Sequence, residues 1–74
     1  MANNNQHVVP LGGGWAVKAE GAKRITVITT KQSEAISYAK NIAKSKKSEL
    51  IVHGRNGRIR ERSSYGNDPV QSKG

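Results

Sequence analysis

The chain has 74 residues, and its 13 Lys and Arg against 5 Asp and Glu give a formal net charge of +8 at pH 7. It contains no cysteine and no apolar run of about 18 residues, which argues against disulfides, thiolate-bound metals and a membrane-spanning helix. This length predicts one small domain, and the excess of basic residues favours binding to nucleic acid or another polyanion.

The N-terminus and the histidines set two further expectations. Residues 1–6 are polar and uncharged, without the basic and apolar stretches of a signal peptide, so we predict a disordered N-terminus on a cytoplasmic bacterial or phage protein. His7 and His53 lie far apart in the sequence and have no carboxylate at ligand spacing. We therefore expect no metal and no cofactor.

The first part of the chain predicts strands. Residues 7–10 form a short strand that Pro10 restricts to a sheet edge or a bulge, and a glycine-rich turn follows at residues 12–14. Residues 15–20 alternate in polarity, with Trp15 on the apolar side. We interpret this tryptophan as the main anchor of the core rather than as a stacking platform for a base.

A third strand and one helix are predicted in the middle of the chain. Residues 24–29 are rich in β-branched side chains, and Ile25 and Val27 are predicted to face the core. Thr30 is the predicted N-cap of a helix that ends at about Lys46. The apolar arc of this helix is mostly alanine, which lets it lie close to a sheet, and it consists of Ala35, Ile36, Ala39, Ile42 and Ala43.

The segment after the helix predicts a β-hairpin. Residues 49–55 and 58–64 are strand-like, and Asn56-Gly57 between them suits a two-residue type I′ turn, which needs positive φ at both positions. This turn pairs Arg55 with Arg58, His53 with Arg60 and Ile51 with Arg62.

One face of this predicted hairpin is strongly basic, because strand side chains alternate between the two faces. The basic face consists of His53, Arg55, Arg58, Arg60 and Arg62, and the core face consists of Leu50, Val52 and Ile59. Glu61 departs from the scheme, since it shares the predicted core face with Ile59.

These elements predict an α+β fold with one antiparallel sheet of four to five strands and one helix packed on one face, in the order ββ(β)αββ. An alternative layout is an N-terminal three-stranded unit with the C-terminal hairpin folded beside it. We predict a single domain over residues 7–65 and a flexible tail over residues 66–74.

Several short motifs, in this order, resemble those of a known family. They are His7-Val8-Val9-Pro10, Gly13-Gly14-Trp15-Ala16-Val17-Lys18, the helix alanines, Leu50-Ile51-Val52-His53-Gly54, Gly57-Arg58-Ile59 and Tyr65-Gly66-Asn67-Asp68-Pro69. The family comprises short bacterial and phage proteins and is catalogued as domain of unknown function number twenty-one eighty-eight. The resemblance covers about residues 7–69 and supports the order of the elements, but it implies no activity and no catalytic residue.

Residues 14–43 also resemble the arm-binding domain of phage-type integrases. The shared pattern is Gly14-Trp15-x-Val17, a turn, a β-branched strand, and Thr30-x-x-x-Glu34-Ala35 at the start of a helix. The resemblance implies a three-stranded sheet that packs on one helix and lies in the DNA major groove.

The leading functional hypothesis is non-catalytic binding of nucleic acid, with duplex DNA before RNA, because arginine forks bind phosphate and guanine edges. The predicted contacts are Arg55, Arg58, Arg60 and Arg62, with additions from Lys18, Arg24, Lys40 and Lys44. The alternative is a protein-interaction module or a small homodimeric regulator, on which these charges are a solvated surface. No recognisable nucleophile motif is present, so we predict that the protein is not an enzyme. We expect no association with a membrane.

Overall fold

One helix packed on a five-stranded sheet makes up residues 5–66, which are the residues that the computed structural model describes. The elements are β1 (Gln6–Leu11), β2 (Gly14–Ala19), β3 (Val27–Thr29), α1 (Gln32–Lys46), β4 (Glu49–His53) and β5 (Ile59–Ser64). The predictions of a disordered start and a flexible tail fall largely on residues 1–4 and 67–74, which lie outside the described residues.

The strands follow the order β3-β2-β1-β4-β5, and every neighbouring pair is antiparallel except β1 and β4. The two outer units are therefore a three-stranded meander and a hairpin. The connection between them contains α1, which crosses one face of the sheet and returns the chain parallel to β1, as a helical crossover does. The predicted α+β class, the single helix on one face and the element order are confirmed, and the parallel pair is the feature that the prediction lacked.

The core lies between α1 and the sheet. Ala35, Ala39 and Ala43 are fully buried, and Ile36 and Ile42 pack beside them. The sheet contributes Trp15 and the aliphatic side chains of Val8, Val17, Leu50 and Val52. Alanine on the inner face of the helix allows the close approach that the sequence predicted, and the assignment of Trp15 to the core is confirmed.

Pro10 does not lie at an edge of the sheet, because β1 is the central strand of the five. The prediction of an edge strand is wrong for a geometric reason. The parallel ladder between β1 and β4 ends at Val8, whereas the antiparallel ladder with β2 continues to Leu11. Pro10 is therefore past the last residue that must donate to β4, and its missing N–H costs no hydrogen bond there.

The third strand is shorter than the pattern in residues 24–29 predicted. It begins at Val27, which packs against the core, whereas Ile25 is exposed. β2 ends at Ala19, whose carbonyl accepts the N–H of Ala22 at 3.0 Å in a turn, and the ladder between β2 and β3 begins only at Val27, opposite Val17. Thr26 donates its N–H to the carbonyl of Val17 at 2.7 Å, but residues 24–26 form no ladder pairs, so tertiary context overrides their β propensity.

The helix begins later than predicted. Its N-cap is Lys31, which has an extended backbone and makes no capping bond with its side chain, so Thr30 does not cap it. The hydroxyl of Thr29 instead donates to the carbonyl of Lys31 at 2.8 Å. The short bond fixes the bend between β3 and α1, which is a role that Thr and Ser hydroxyls commonly take.

The turn of the C-terminal hairpin is a three-residue loop rather than the predicted two-residue turn. The N–H of Gly57 donates to the carbonyl of Gly54 at 2.9 Å, and the N–H of Gly54 donates to the carbonyl of Arg58 at 2.7 Å. Gly57 has φ of +86°, whereas Asn56 is not among the described residues with positive φ, so a type I′ turn does not form. This is a type I turn followed by a left-handed glycine.

The three-residue loop shifts the register of the hairpin, and a bulge shifts it back. His53 pairs with Ile59 rather than with Arg60, and Arg58 lies opposite Gly54 rather than Arg55. A β-bulge between Val52 and His53 accommodates Arg60 as one extra residue on β5. The predicted pair of Ile51 and Arg62 therefore forms. Two predictions fail as a result: Ile59 is exposed and not in the core, and the arginines do not share one face.

Gly14 is closely packed, so a side chain does not fit there, whereas its neighbour Gly13 has open space beside it. A Cβ on Gly14 would lie 2.4 Å from the carbonyl oxygen of Thr29, whereas a Cβ on Gly13 would meet nothing within 4 Å. We expect Gly14→Ala to lower the free energy of unfolding by about 1–3 kcal/mol through overpacking between β2 and β3. Gly13→Ala should change it by about 0.5 kcal/mol at most. Urea unfolding of both variants tests this, and equal effects would contradict the contact.

Candidate functional site

The side of the sheet that faces away from α1, called the open face below, is the candidate site. Strand alternation opposite the core residues defines its side chains. They are His7, Val9, Leu11, Ala16, Lys18, Ile28, Glu49, Ile51, His53, Ile59 and Arg62. The helix covers the other side, so this is the flat surface that the fold offers to a partner.

A charged row crosses one half of the open face. Strand register places Lys18 beside His7, His7 beside Ile51, and Ile51 beside Arg62. The row therefore carries a basic side chain at each end. Nε of Arg62 lies 3.9 Å from Oε1 of Glu49, and both groups are exposed, so this ion pair contributes little and leaves the guanidinium accessible.

An apolar row crosses the middle of the open face. It comprises Ile28, Ala16 and Val9, in register across β3, β2 and β1, and the pair of His53 and Ile59 across β4 and β5. The two outer members of this row are the most exposed, with Ile28 at 60% and Ile59 at 53%. Exposed aliphatic side chains at both ends of a row are a feature of a surface that can contact another apolar surface.

Two histidines and one glutamate form a connected chain across the open face. Nδ1 of His7 lies 3.0 Å from Nε2 of His53, and the two rings meet end to end, with centroids 5.2 Å apart and planes inclined by 26°. Nε2 of His7 lies 3.0 Å from Oε1 of Glu20, and Nδ1 of His53 lies 3.2 Å from the carbonyl oxygen of Gly57. Each ring nitrogen therefore has one partner.

Sequence reasoning missed this pair because it considered the histidines only by their distance along the chain. The parallel register pairs His7 with Ile51, and His53 follows two residues later on the same face, where its ring reaches back to His7. A hydrophobic pattern contains no information about parallel register across a helical crossover, so no local signal predicts the contact.

The electrostatics of the open face centre on Glu20. The hydrogen bond with the His7 ring is the largest influence, and it holds the pKa of the Glu20 carboxyl below its usual value of 4.5. Asn5 donates to the same oxygen at 3.4 Å and also lowers this pKa, whereas partial desolvation opposes the shift. Glu20 is therefore ionised at neutral pH and supplies negative charge to the imidazole beside it.

Arg55 holds the two hairpins together. Its guanidinium donates to the carbonyl oxygens of Gly12, Gly13 and Gly14 at 3.1, 3.1 and 3.2 Å, and it stacks on the ring of Trp15 at 4.5 Å from the centroid. Three carbonyls and an aromatic face use most of what a guanidinium can offer. The structure thus engages Arg55 within the fold.

The remaining predicted contacts lie in several places. Arg58 is exposed at the hairpin tip, and Arg60 bonds to Oε1 of Gln32 at the start of α1, while Nε2 of Gln32 donates to the carbonyl of His53 at 3.2 Å. Three others lie elsewhere: Arg24 in the loop after β2, and Lys40 and Lys44 on the exposed surface of α1. The structure brings together only part of the predicted set, because the bulge and the crossover distribute the charges around the molecule.

Two kinds of feature do not occur in the part of the chain that the structure describes. Across residues 5–66, no group of three or more His, Asp and Glu side chains is arranged to hold a metal ion between them. Within the same residues, no helix has the length and apolar character needed to cross a membrane.

Comparison with known proteins gives a family but no function. Residues 6–65 match a family model described as an uncharacterized protein conserved in bacteria (DUF2188). The chain is 44% identical over 66 residues to the uncharacterized protein YdaT of Bacillus subtilis (strain 168), which covers 89% of this chain and 44% of that protein. The chain thus spans less than half the length of this relative. No solved structure matches the chain significantly.

The contacts of Arg55 predict a structural effect of its replacement. Arg55→Lys keeps the charge but removes the planar fork that reaches three carbonyls and stacks on Trp15. We expect the free energy of unfolding to fall by about 1–2 kcal/mol. Arg58→Lys, at the exposed tip of the same loop, is the matched control and should be neutral. Similar unfolding midpoints for the two variants would refute the structural role of Arg55.

The lowered pKa of Glu20 predicts a pH dependence of stability. A carboxyl whose pKa is depressed in the folded state stabilises the fold above its unfolded value of 4.5, and this contribution is lost as the pH falls through the folded-state pKa. We therefore expect Glu20→Gln to flatten the acid side of the stability curve. Urea unfolding at a series of pH values measures this, and curves of wild type and variant that remain parallel below pH 4.5 would contradict it.

Proposed function

Given that the chain belongs to the family of uncharacterized proteins conserved in bacteria (DUF2188), a description that names no activity, we propose its function from the residues themselves. It binds nucleic acid without catalysis, duplex DNA in preference to RNA, through the open face and the adjoining hairpin tip. The absence of cysteine is compatible with a cytoplasmic location for this role.

The observation that carries the proposal is the charged row on the uncovered side of the sheet. Lys18 and Arg62 stand at the two ends of this row, so both can meet phosphates on either side of a bound groove. The net charge of +8 adds a long-range attraction to any polyanion. Neutralised phosphates release counterions, which makes binding of this kind strongly dependent on salt.

The contact set that we propose is smaller than the set that the sequence predicted. Lys18 and Arg62 are its centre, Arg58 extends it at the hairpin tip, and Arg24 adds to it from the loop before β3. Arg60 is left out, because it bonds to Gln32 at the start of α1. Arg55 is left out, because its donors are used within the fold. Lys40 and Lys44 are also left out, since α1 covers the opposite side of the sheet and one duplex cannot reach both sides.

Duplex DNA fits this surface better than duplex RNA does. The major groove of B-form DNA admits a two-stranded ribbon, whereas that of A-form RNA is too narrow for side chains to read. The resemblance of residues 14–43 to integrase arm-binding domains implies the same mode, in which a sheet lies in the major groove. In this chain the strand that completes such a sheet is β1, which pairs with β2.

A salt-titrated binding assay with paired charge reversals tests the site. Lys18→Glu/Arg62→Glu and Lys40→Glu/Lys44→Glu change the net charge equally, but on opposite sides of the molecule. We expect the open-face variant to lower affinity for duplex DNA and to reduce the slope of log K against log salt by about 1.8, since each phosphate contact contributes about 0.9. The helix variant should retain the wild-type slope.

Two results would overturn the proposed site. If both double variants reduce the affinity and the slope alike, binding follows total charge and not the open face. If the wild-type chain does not bind duplex DNA or RNA at low salt, the proposed function itself is wrong. Arg58→Glu, measured beside them, reports whether the exposed hairpin tip contributes.

The alternative function, a protein-interaction module or homodimer, is favoured by a different observation, the apolar row. Ile28 lies on the edge strand β3, and Ile59 lies at the start of the opposite edge strand β5. This function predicts a defined oligomer in light scattering at low protein concentration, which Ile28→Lys should dissociate. A wild-type chain that stays monomeric at every concentration would exclude the homodimer.

A further inference from the structure

The histidine chain on the open face directs two ring nitrogens at each other. Glu20 and the carbonyl of Gly57 are both acceptors, and both are satisfied when Nε2 of His7 and Nδ1 of His53 carry the ring hydrogens. When both rings are neutral, the two remaining nitrogens carry lone pairs. Those nitrogens face each other at 3.0 Å, where lone pairs alone would repel.

We propose that Nδ1 of His7 and Nε2 of His53 bind one divalent transition-metal ion on the open face. Imidazole nitrogen is a preferred ligand of Zn²⁺, Ni²⁺ and Cu²⁺, whereas Mg²⁺ and Ca²⁺ require oxygen ligands. The ion takes the place of the hydrogen that otherwise joins the two nitrogens. The proposal is independent of nucleic-acid binding, since it rests on these two rings and their partners.

The separation of the two nitrogens agrees with ligands of one ion. A zinc–nitrogen bond is about 2.0–2.1 Å, so two ligands at a metal angle between octahedral and tetrahedral lie about 2.8–3.4 Å apart. The observed distance of 3.0 Å falls within that interval. An ion at bonding distance from both nitrogens lies about 1.4 Å to one side of the line that joins them, so binding tilts both rings toward that side. The rings are held there by β1 and β4, two adjacent and hydrogen-bonded strands, so the ligands are positioned by the rigid sheet.

The outer nitrogens have the partners that metal-bound histidines usually have. A ligating histidine commonly donates its other ring N–H to a carboxylate or to a backbone carbonyl, which fixes the tautomer and the ring orientation. Glu20 serves His7 in this way, and the carbonyl of Gly57 serves His53. The hydrogen bond between His7 and Glu20 raises the basicity of the His7 nitrogen that faces the metal.

The surroundings indicate an exchangeable site rather than one that holds the fold together. The pair supplies two ligands, and water or a partner's side chain must complete the coordination, since residues 5–66 contain no metal-holding group of three or more. Lys18 stands across from His7 and Arg62 beyond Ile51, and their charges oppose binding, whereas the carboxylate of Glu20 beside His7 favours it. The side chain of His7 is 25% exposed, so the ion has a path from solvent.

The test is a Zn²⁺ titration of the full, untagged chain, followed by calorimetry and by NMR of the imidazole signals. His7 and His53 are the only two histidines in the sequence, so the signals need no further assignment to the site. We expect one Zn²⁺ per chain with shifts in both rings, no response to Mg²⁺, and a Ni²⁺ spectrum typical of nitrogen ligation.

Three variants separate this site from adventitious binding. His53→Gln should abolish binding, and Glu20→Gln should weaken it about 10- to 100-fold while leaving both ligands in place. Glu49→Gln is the matched control, because Glu49 is a carboxylate on the same face that touches neither ring, and it should bind as the wild type does. Circular dichroism confirms that each variant is folded.

The wild-type titration keeps the proposal falsifiable even if a histidine variant fails to fold. An absence of Zn²⁺ and Ni²⁺ binding at millimolar metal would overturn it and leave a shared hydrogen as the only bridge between the rings. Undiminished binding by folded His53→Gln, or equal losses in Glu20→Gln and Glu49→Gln, would also overturn it.

Discussion

The parallel pairing of β1 with β4 is the contact on which the rest of the structure depends. It joins the N-terminal meander to the C-terminal hairpin, and it requires the crossover that lays α1 over one face of the sheet. The same pairing makes β1 the central strand and brings two histidines from distant parts of the chain into contact. A core of alanine on the helix and branched aliphatic residues on the strands fits this arrangement, because the helix can then approach the sheet closely.

Some basic residues of the C-terminal hairpin make contacts within the fold, and others are exposed to a partner. Arg55 ties the loop to the β1–β2 turn, and Arg60 bonds to Gln32 at the start of the helix, so both spend their donors within the molecule. A three-residue loop and a compensating bulge produce this division, since they change which side of the sheet each side chain meets. What remains for a partner is Lys18 and Arg62 on the open face, with Arg58 at the tip.

The open face combines three surfaces within five short strands: a charged row, an apolar row and a connected pair of histidines. A nucleic acid would use the first, a protein partner the second and a metal ion the third. The three are adjacent, because the charged row contains His7 and the apolar row contains His53. An ion bound between the rings would therefore add positive charge at the centre of the surface that we propose for DNA.

The class of fold, the element order, the helix with its alanine face and the core position of Trp15 could all be predicted from the amino-acid sequence. These follow from local periodicity and side-chain size, which each segment carries within itself. Only the packed fold sets the parallel register, the start of β3 at Val27 rather than at residue 24, and the bulge that separates Arg60 from Arg62. It likewise decided the contact of His7 with His53, which depends on the alignment of two strands that a helix separates in sequence. A pattern of alternating residues fixes which side chains share a face within a strand, but the crossover and the loop length fix which strands and faces finally meet.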